Sequence, residues 1–209
     1  MQPSNVKIST IASFLKRECR MITAWQPTDT RTTMLRIYPA TPADLEALHE
    51  VGCTTYREHF AHIWSPAGLQ AFLDRDFSHD ALRQSLETSD SPLWLLASDD
   101  NAQVVGLAKI NWSAPAPITG EVGAELRKIY FLKSAAGRGY GKRFMQFICD
   151  QAVTRGERSL WLTVLKSNPD ARRFYEAFGF KWIGEIPFKT DLAEIGMDVM
   201  GLELQRQDA

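Results

Sequence analysis

Three glycines alternate with larger residues in segment 136–142, which reads Ala-Gly-Arg-Gly-Tyr-Gly-Lys. Because glycine has no Cβ, closely spaced glycines let successive backbone N–H groups point toward one ligand. The apolar spacing that follows predicts a helix beginning here, and the N-terminus of a helix favours anions. Arg138 and Lys142 add positive charge. The segment therefore predicts a cradle for phosphate groups.

The spacing of the glycines excludes two common nucleotide-binding loops. No Gly-Lys-Ser/Thr follows, so the segment is not a P-loop. Gly141 follows Gly139 by two residues rather than three, which does not match the dinucleotide fingerprint. A G-x-G-x-G run also occurs in ordinary tight turns. Its place between a predicted strand and a predicted helix favours the phosphate interpretation.

A second motif lies about 27 residues beyond the cradle and reads Asn168-Pro-Asp-Ala-Arg-Arg-Phe-Tyr175-Glu-Ala-Phe-Gly179-Phe. Asn168 followed by proline predicts a helix start, and Gly179 predicts its end. With the cradle, this motif resembles the GNAT superfamily of acetyltransferases, which carries N-x-x-A-x-x-F/L-Y-x-x-x-G-F after its pyrophosphate loop. Both motifs occur in the family's order and at its usual separation, and the resemblance covers roughly 35–205.

The resemblance implies an α+β protein with the acyl-CoA N-acyltransferase (GNAT) fold. That fold is a mixed, mostly antiparallel twisted sheet flanked by helices, with a cleft between two splayed strands. The residue pattern itself predicts strands and helices in a compatible order. The predicted strands are 34–39, 93–98, 104–112, 123–132, 159–165, 180–187 and 197–204, and the longest predicted helix is 138–155.

The resemblance also implies roles for particular residues, with acetyl-CoA as co-substrate. Tyr175 would donate a proton to the departing thiolate, and Asn168 would contact the pantetheine arm or order its loop. The other cofactor-binding residues are the strand backbone at Ile129, Tyr130 and Phe131, and the pyrophosphate loop Gly137, Arg138, Gly139, Tyr140, Gly141 and Lys142. Ala136 departs from the family, where Gln or Arg is usual, so one side-chain contact to phosphate is missing.

A primary amine must lose a proton before it can attack a thioester. With a pKa near 10.4, only about one amine in 10³ is unprotonated at pH 7, which costs roughly 4–5 kcal/mol. Glu125 is the first candidate for the base, because it lies fourteen residues before Gly139, as the strand glutamate does in histone-acetylating relatives. Glu121 is a second candidate, and a chain of waters without a dedicated base is a third.

The acceptor is predicted less sharply than the reaction. Segment 181–188 and the later Met197-Asp198-Val-Met200 are similar to the polyamine and small-amine branch of the family, which favours a small-molecule amine. The alternatives are a protein N-terminus or lysine, and a non-catalytic acyl-CoA sensor. The residues expected to form the acceptor wall are Glu50, Tyr56, Glu58 and Phe60.

Composition and charge argue against several classes of binding partner. Twenty-four Lys and Arg against 25 Asp and Glu give no overall field that favours nucleic acid or a membrane surface, and no apolar run reaches the roughly 20 residues of a membrane span. The three cysteines are far apart and form no C-x-x-C pair, which indicates reduced thiols, a cytoplasmic protein and no zinc site. His59 and His62 share a helical face without a third ligand, so no metal is predicted.

Two regions are predicted along the chain. Residues 1–33 are polar and contain Pro27, so we expect a flexible N-terminal extension, with a short amphipathic helix over 8–20 as an option. Residues 34–209 are expected to form the acetyltransferase domain. Homodimers are frequent in the family, so a homodimer is an expectation as well.

Overall fold

The structure is a computed structural model that describes residues 34–88 and 92–205. The expected extension over 1–33 and its optional helix therefore lie outside the described residues. The described strands are β1 (Arg36–Pro39), β2 (Leu93–Ser98), β3 (Val104–Pro115), β4 (Val122–Phe131), β5 (Ser159–Leu165), β6 (Lys181–Ile186) and β7 (Met197–Glu203). The described α-helices are α1 (Leu45–Phe60), α2 (Pro66–Phe77), α3 (His79–Glu87), α4 (Tyr140–Thr154) and α5 (Pro169–Phe178).

The strands form one sheet in the order β1-β2-β3-β4-β5-β7-β6. Strand pairs are antiparallel except β4 with β5, which is parallel and joined through α4. A parallel pair needs such a crossover, whereas antiparallel neighbours need only a turn. This topology confirms the predicted α+β class with a mostly antiparallel sheet and one β-loop-α-β unit.

Side-chain alternation along the strands supplies a core on each face of the sheet. Neighbouring residues Leu95 and Leu96 belong to opposite cores, as do Ile110 and Leu107. One core packs against α4, whose buried face includes Phe144, Met145, Ile148, Cys149 and Ala152. The other packs against α1, α2 and α3. We call the first the coenzyme face, after the co-substrate that the sequence resemblance implies, and the second the α1–α3 face.

Local capping explains where the first helices begin. Thr41 and Asp44 form a reciprocal capping box at a single 3₁₀ turn that leads into α1. Ser65 caps α2 by accepting from the Gly68 amide, with Pro66 at the first helical position. Ser78 caps α3 by accepting from the Ala81 amide. Each of these helices therefore begins at a residue type that favours a helix start.

Strand β3 is longer than predicted. It continues to Pro115, although the sequence suggested that it ends at residue 112 and is followed by a loop. The extension contains an irregular register between Asn111 and Ala114, with Ser113 in the left-handed region at φ 49°. The irregularity interrupts the alternation of apolar and polar residues, which is the signal that marks a strand in the sequence.

One buried hydroxyl in the coenzyme-face core is unsatisfied. Tyr140 is 2% exposed, and its hydroxyl has no hydrogen-bond partner among the described residues. An unpaired buried hydroxyl costs about 1–3 kcal/mol, so Tyr140→Phe should raise the free energy of unfolding in urea by about 1 kcal/mol. Tyr56→Phe is the opposite control, because the Tyr56 hydroxyl accepts from Trp64 Nε1 at 3.1 Å and its loss should destabilise the fold. A loss of stability in Tyr140→Phe would contradict this interpretation.

Candidate active site

The two central parallel strands separate partway along their length. Pairing between β4 and β5 covers only Ala124–Leu126 against Leu160–Leu162. Both strands continue beyond that point, to Phe131 and Leu165, while keeping their outer neighbours β3 and β7. The inner edges of the two strands therefore part, which opens a cleft in the middle of the sheet.

The register of β3 against β4 decides which backbone groups of β4 face the cleft. The Leu132 amide donates to the Val105 carbonyl, so this pair occupies a hydrogen-bonded position of the ladder. Along an antiparallel pair such positions alternate, so Tyr130 directs its N–H and C=O toward β3, whereas Ile129 and Phe131 direct theirs toward the cleft. Of the three residues expected to bind pantetheine through their backbone, Ile129 and Phe131 are available and Tyr130 is engaged in the sheet.

One of these cleft-facing groups already has a partner. His59 Nε2 donates to the Phe131 carbonyl oxygen at 2.8 Å. His59, for which the sequence predicted no metal-binding role, thus fixes the end of β4. Among the described residues, no group of three or more His, Cys, Asp or Glu side chains is placed to hold a metal ion.

The glycine-rich loop lies at the N-terminus of α4, on the coenzyme face. Gly137 and Gly139 have φ of 76° and 72°, and a Cβ built on either would meet no atom within 4 Å. Gly139 is the N-cap, and no side chain caps the helix, so the first amides of α4 are left for another acceptor. An open, uncapped helix N-terminus with backbone amides pointing outward fits a pyrophosphate.

The charged residues of the loop are positioned differently. Lys142 is exposed on the first turn of α4. Arg138 lies 3.9 Å from the carboxylate of Asp99, which partly compensates the positive charge of Arg138. Tyr140 turns into the core and contributes only its backbone to the loop. The backbone amides are therefore the main groups through which the loop could bind the predicted phosphates.

The motif after β5 forms α5, which packs on the coenzyme face. Asn168 caps this helix by accepting from the Ala171 amide at 3.1 Å. This contact orders the local chain, which is one of the two roles expected for Asn168. Tyr175 packs against the rings of Phe174 and Phe180. Burial raises the pKa of the Tyr175 phenol above its ordinary value. The phenol therefore stays protonated at neutral pH, as a proton donor must.

Glu125 lies on the α1–α3 face at the last paired stretch of β4. It is 8% exposed, and its carboxylate accepts from Asn111 Nδ2 at 2.6 Å and from Arg127 Nη1 at 3.3 Å. An ionised carboxylate has about four acceptor positions, so two remain for an amine or a water. Glu121, the second candidate, is exposed in the turn before β4.

Sequence reasoning missed Asn111 and Arg127, the two residues that hold Glu125. Arg127 is the extra residue in a β-bulge, since Lys109 pairs with Lys128 and Ile110 pairs with Leu126. A simple hairpin register would have placed different residues opposite Glu125. Because the sequence does not reveal the bulge, neither Asn111 nor Arg127 could be predicted as a partner of Glu125.

The expected acceptor wall is only partly present. Tyr56 is 4% exposed and stacks on Phe72 at 3.9 Å between ring centroids, so it is a core residue rather than a wall residue. Burial raises its pKa to about 12. The Glu58 carboxylate accepts from the Lys133 amide at 2.8 Å and so fixes the chain after β4, while Glu50 is exposed.

An open, mostly antiparallel sheet whose two central parallel strands part is the arrangement of an acyl-CoA N-acyltransferase. Residues 51–180 match the acetyltransferase (GNAT) family, and the chain belongs to that family. It is an N-acetyltransferase of the acyltransferase class, and the predicted fold and recognition are confirmed.

Two N-acetyltransferases are similar to this chain in sequence over more than half of its length. An uncharacterized N-acetyltransferase from the pepI 3′ region of Lactobacillus delbrueckii subsp. lactis is 27% identical over 75% of this chain and 90% of its own length. The 5-NmdU N-acetyltransferase of Pseudomonas phage PaMx11 is 31% identical over 56% of this chain and 76% of its own length.

Solved structures share the fold at lower identity. The PaiA N-acetyltransferase of Thermoplasma acidophilum, in complex with coenzyme A, aligns with a TM-score of 0.66 at 21% identity over 81% of this chain and 99% of that one. The structure of yncA from Salmonella typhimurium with its cofactor acetyl-CoA aligns with a TM-score of 0.65 at 20% identity over 84% of this chain and 97% of that one. The expected co-substrate, acetyl-CoA, agrees with the ligands of both.

The backbone conformation of the loop provides a test of its role. Gly139→Ala places a Cβ at φ 72°, a conformation that costs an L-residue roughly 1–2 kcal/mol, so the loop should shift and the Kd for coenzyme A should rise about tenfold. Gly156→Ala is the matched control, since Gly156 has φ 89° and also open space, but follows the far end of α4. Isothermal calorimetry should show weakened binding only for Gly139→Ala; equal affinities in the two variants would exclude the loop from coenzyme binding.

Proposed function

We propose that this chain moves an acetyl group from acetyl-CoA to a primary amine of a small molecule by direct attack in a ternary complex. The observation that supports it most is the parting of β4 from β5, because it leaves the Ile129 backbone groups and the Phe131 amide facing the space between the two strands, while the Phe131 carbonyl is bound by His59. The glycine loop and Tyr175 lie on one side of this opening. Glu125 lies on the other.

Each residue then has a task on its own side. Acetyl-CoA would supply the thioester whose carbonyl carbon the amine attacks. The edge of β4 orients the pantetheine arm, and the first amides of α4 bind the pyrophosphate. Glu125 accepts the proton that the ammonium group must lose, and Tyr175 donates a proton to the sulfur as the C–S bond breaks.

Contacts at the acceptor side support a small substrate. The connection between β6 and β7 meets the connection between α1 and α2, because the Asp191 carboxylate accepts from the Ser65 amide at 3.1 Å and from its hydroxyl. Phe188 of the first and Trp64 of the second also make an edge-on ring contact, with 6.2 Å between the ring centroids. These contacts join the two connections, which favours an enclosed acceptor site over the open groove that a peptide acceptor needs.

A thiol-release assay against polyamines, aminoglycosides, amino acids and peptides tests this proposal. Turnover with a small amine and none with peptides would support it. Turnover confined to peptides or protein N-termini would assign the protein-acetylating alternative, and coenzyme binding without any turnover would assign the sensor.

The polyamine-like acceptor, the homodimer and the cytoplasmic location stay predictions. Among the described residues, no helix has the length and apolar character needed to cross a membrane.

A further inference from the structure

A basic pocket of about 290 Å³ opens on the α1–α3 face of the sheet. It lies between the end of α2, the helix α3 and strands β2 to β4. Its volume is that of a site for a small ligand or for one end of a larger one. Within the described chain, four cations and one carboxylate provide its charged lining: Arg75, Lys109, Arg127, Lys128 and Asp76.

The carboxylate of this pocket is already fully engaged. Lys128 Nζ lies 2.6 Å from Asp76 Oδ2, and Arg75 Nε lies 2.6 Å from Asp76 Oδ1. The Lys128 side chain is only 6% exposed, and its ammonium group sits about 5 Å from the ring centroids of Phe72 and Phe77. The buried ammonium group of Lys128 is thus paired with Asp76, as a buried charge requires, and this carboxylate is not free to offset further cations.

The remaining cations gather beside this pair. Lys109 is directly opposite Lys128 in the β3–β4 register, and its ammonium group lies 5.0 Å from the centre of the Trp94 ring. Burial lowers the pKa of Lys109, and the positive charge of Lys128 lowers it further. Arg127, the other cation, also pairs with Glu125, because its Nη1 lies 3.3 Å from Glu125 Oε1. The pocket therefore has more positive charge than its own carboxylate offsets, and an anion would relieve the repulsion.

The basic pocket adjoins the place where the chemistry is proposed. Lys109 and Asn111 are two residues apart on β3, so their side chains share a face and are spaced by about 7 Å. Asn111 holds Glu125, and Arg127 links Glu125 to the pocket. Arg127 directly follows Leu126, the last residue of β4 that pairs with β5. A molecule with its amine at Glu125 would thus extend toward the cations.

We infer that the basic pocket binds a carboxylate or phosphate group carried by the acceptor amine. This inference rests on the proposed function and narrows its substrate class to amino acids, amino phosphates and similar zwitterions. A charged hydrogen bond from Lys109 or Arg127 to such a group would anchor the acceptor. A polyamine would instead place a second ammonium group among four cations, which is repulsive.

Matched acceptors test the inference through turnover. Phenylalanine is compared with phenethylamine, and phosphoethanolamine with ethylamine, with spermidine as the cationic arm. We expect the anionic member of at least one pair to have a kcat/KM at least about tenfold higher, and Lys109→Met to abolish that preference. Arg83→Gln is the control, because Arg83 pairs with Asp80 on the outer side of α3 and does not line the pocket. A preference for spermidine, or one that Lys109→Met leaves intact, would overturn the inference.

Direct anion binding separates this inference from the acetyltransferase proposal. Inorganic phosphate is titrated into the full chain without coenzyme A, and the readout is the indole N–H resonance of Trp94, which lines the pocket. A saturable shift that Lys109→Met and Arg75→Gln weaken, and Arg83→Gln does not, supports the pocket even if no acetyl transfer is found. If coenzyme A binds but phosphate leaves this resonance unchanged, the pocket is not an anion site and the inference fails.

Discussion

Replacing Tyr175 with phenylalanine should lower kcat by about 100-fold, because general acid catalysis typically contributes about 10²–10⁴ in rate. The substitution removes only the hydroxyl, so the ring contacts with Phe174 and Phe180 remain. The KM for acetyl-CoA should therefore change little. Steady-state thiol release with a saturating amine measures both quantities.

Tyr38→Phe is the matched control for this substitution, since Tyr38 lies in strand β1, away from the cleft. Its kcat should equal that of the wild type. Equal rates for Tyr175→Phe and the wild type would remove the phenol from the mechanism. A pure rise in the KM for acetyl-CoA would instead assign Tyr175 to coenzyme binding.

Replacing Glu125 with glutamine is the second change with a large expected effect. At pH 7 the variant must wait for the roughly one amine in 10³ that is already deprotonated, so kcat/KM for the amine should fall about 100-fold or more. Glutamine has the same shape and keeps a carbonyl for the Asn111 amide. The loss should therefore appear in the rate rather than in stability.

The pH profile distinguishes a base from a merely structural residue. In Glu125→Gln, kcat/KM should rise about tenfold per pH unit up to the pKa of the amine, because only free amine reacts. The wild type should show a shallower rise over the same range. Glu121→Gln is the control, since Glu121 is exposed in the preceding turn. A larger loss in Glu121→Gln would transfer the role to that residue, and parallel profiles in all three proteins would favour a water chain.

The parts of the site that are local in sequence were predictable. The loop at 137–142 depends on glycine conformation and a helix start, and both are encoded within a few residues. The caps at Ser65 and Asn168 are predictable for the same reason. Such features need no knowledge of which strands are neighbours.

The parts that depend on tertiary contacts were not predictable from pattern alone. Lys128 and Asp76 are separated by 52 residues, and only the packing of α2 on the sheet brings them together. The bulge at Arg127 shifts the register by one residue, which changes the partner of Glu125. A buried lysine also looks the same in sequence as an exposed one. The basic pocket therefore required the structure.

Asp198, in the tail of the sequence, has a structural role in addition to its place in the motif that suggested the acceptor. Segment 181–188 and Asp198 pointed toward polyamines through family resemblance. In the structure, Asp198 is 2% exposed and is bound by Arg172 Nη1 at 2.8 Å and Trp182 Nε1 at 3.1 Å. Its carboxylate thus joins α5 to β6 and β7, which is a structural role, and the polyamine-like acceptor stays a prediction.

Calorimetric titration of the full chain with acetyl-CoA tests the central claim most directly, because every assigned role depends on coenzyme uptake at the cleft between β4 and β5. We expect one molecule bound per chain with a Kd of about 1–100 μM, within the usual range for enzyme substrates, and weaker binding in Gly139→Ala than in Gly156→Ala. No measurable uptake at about 1 mM acetyl-CoA would contradict the account.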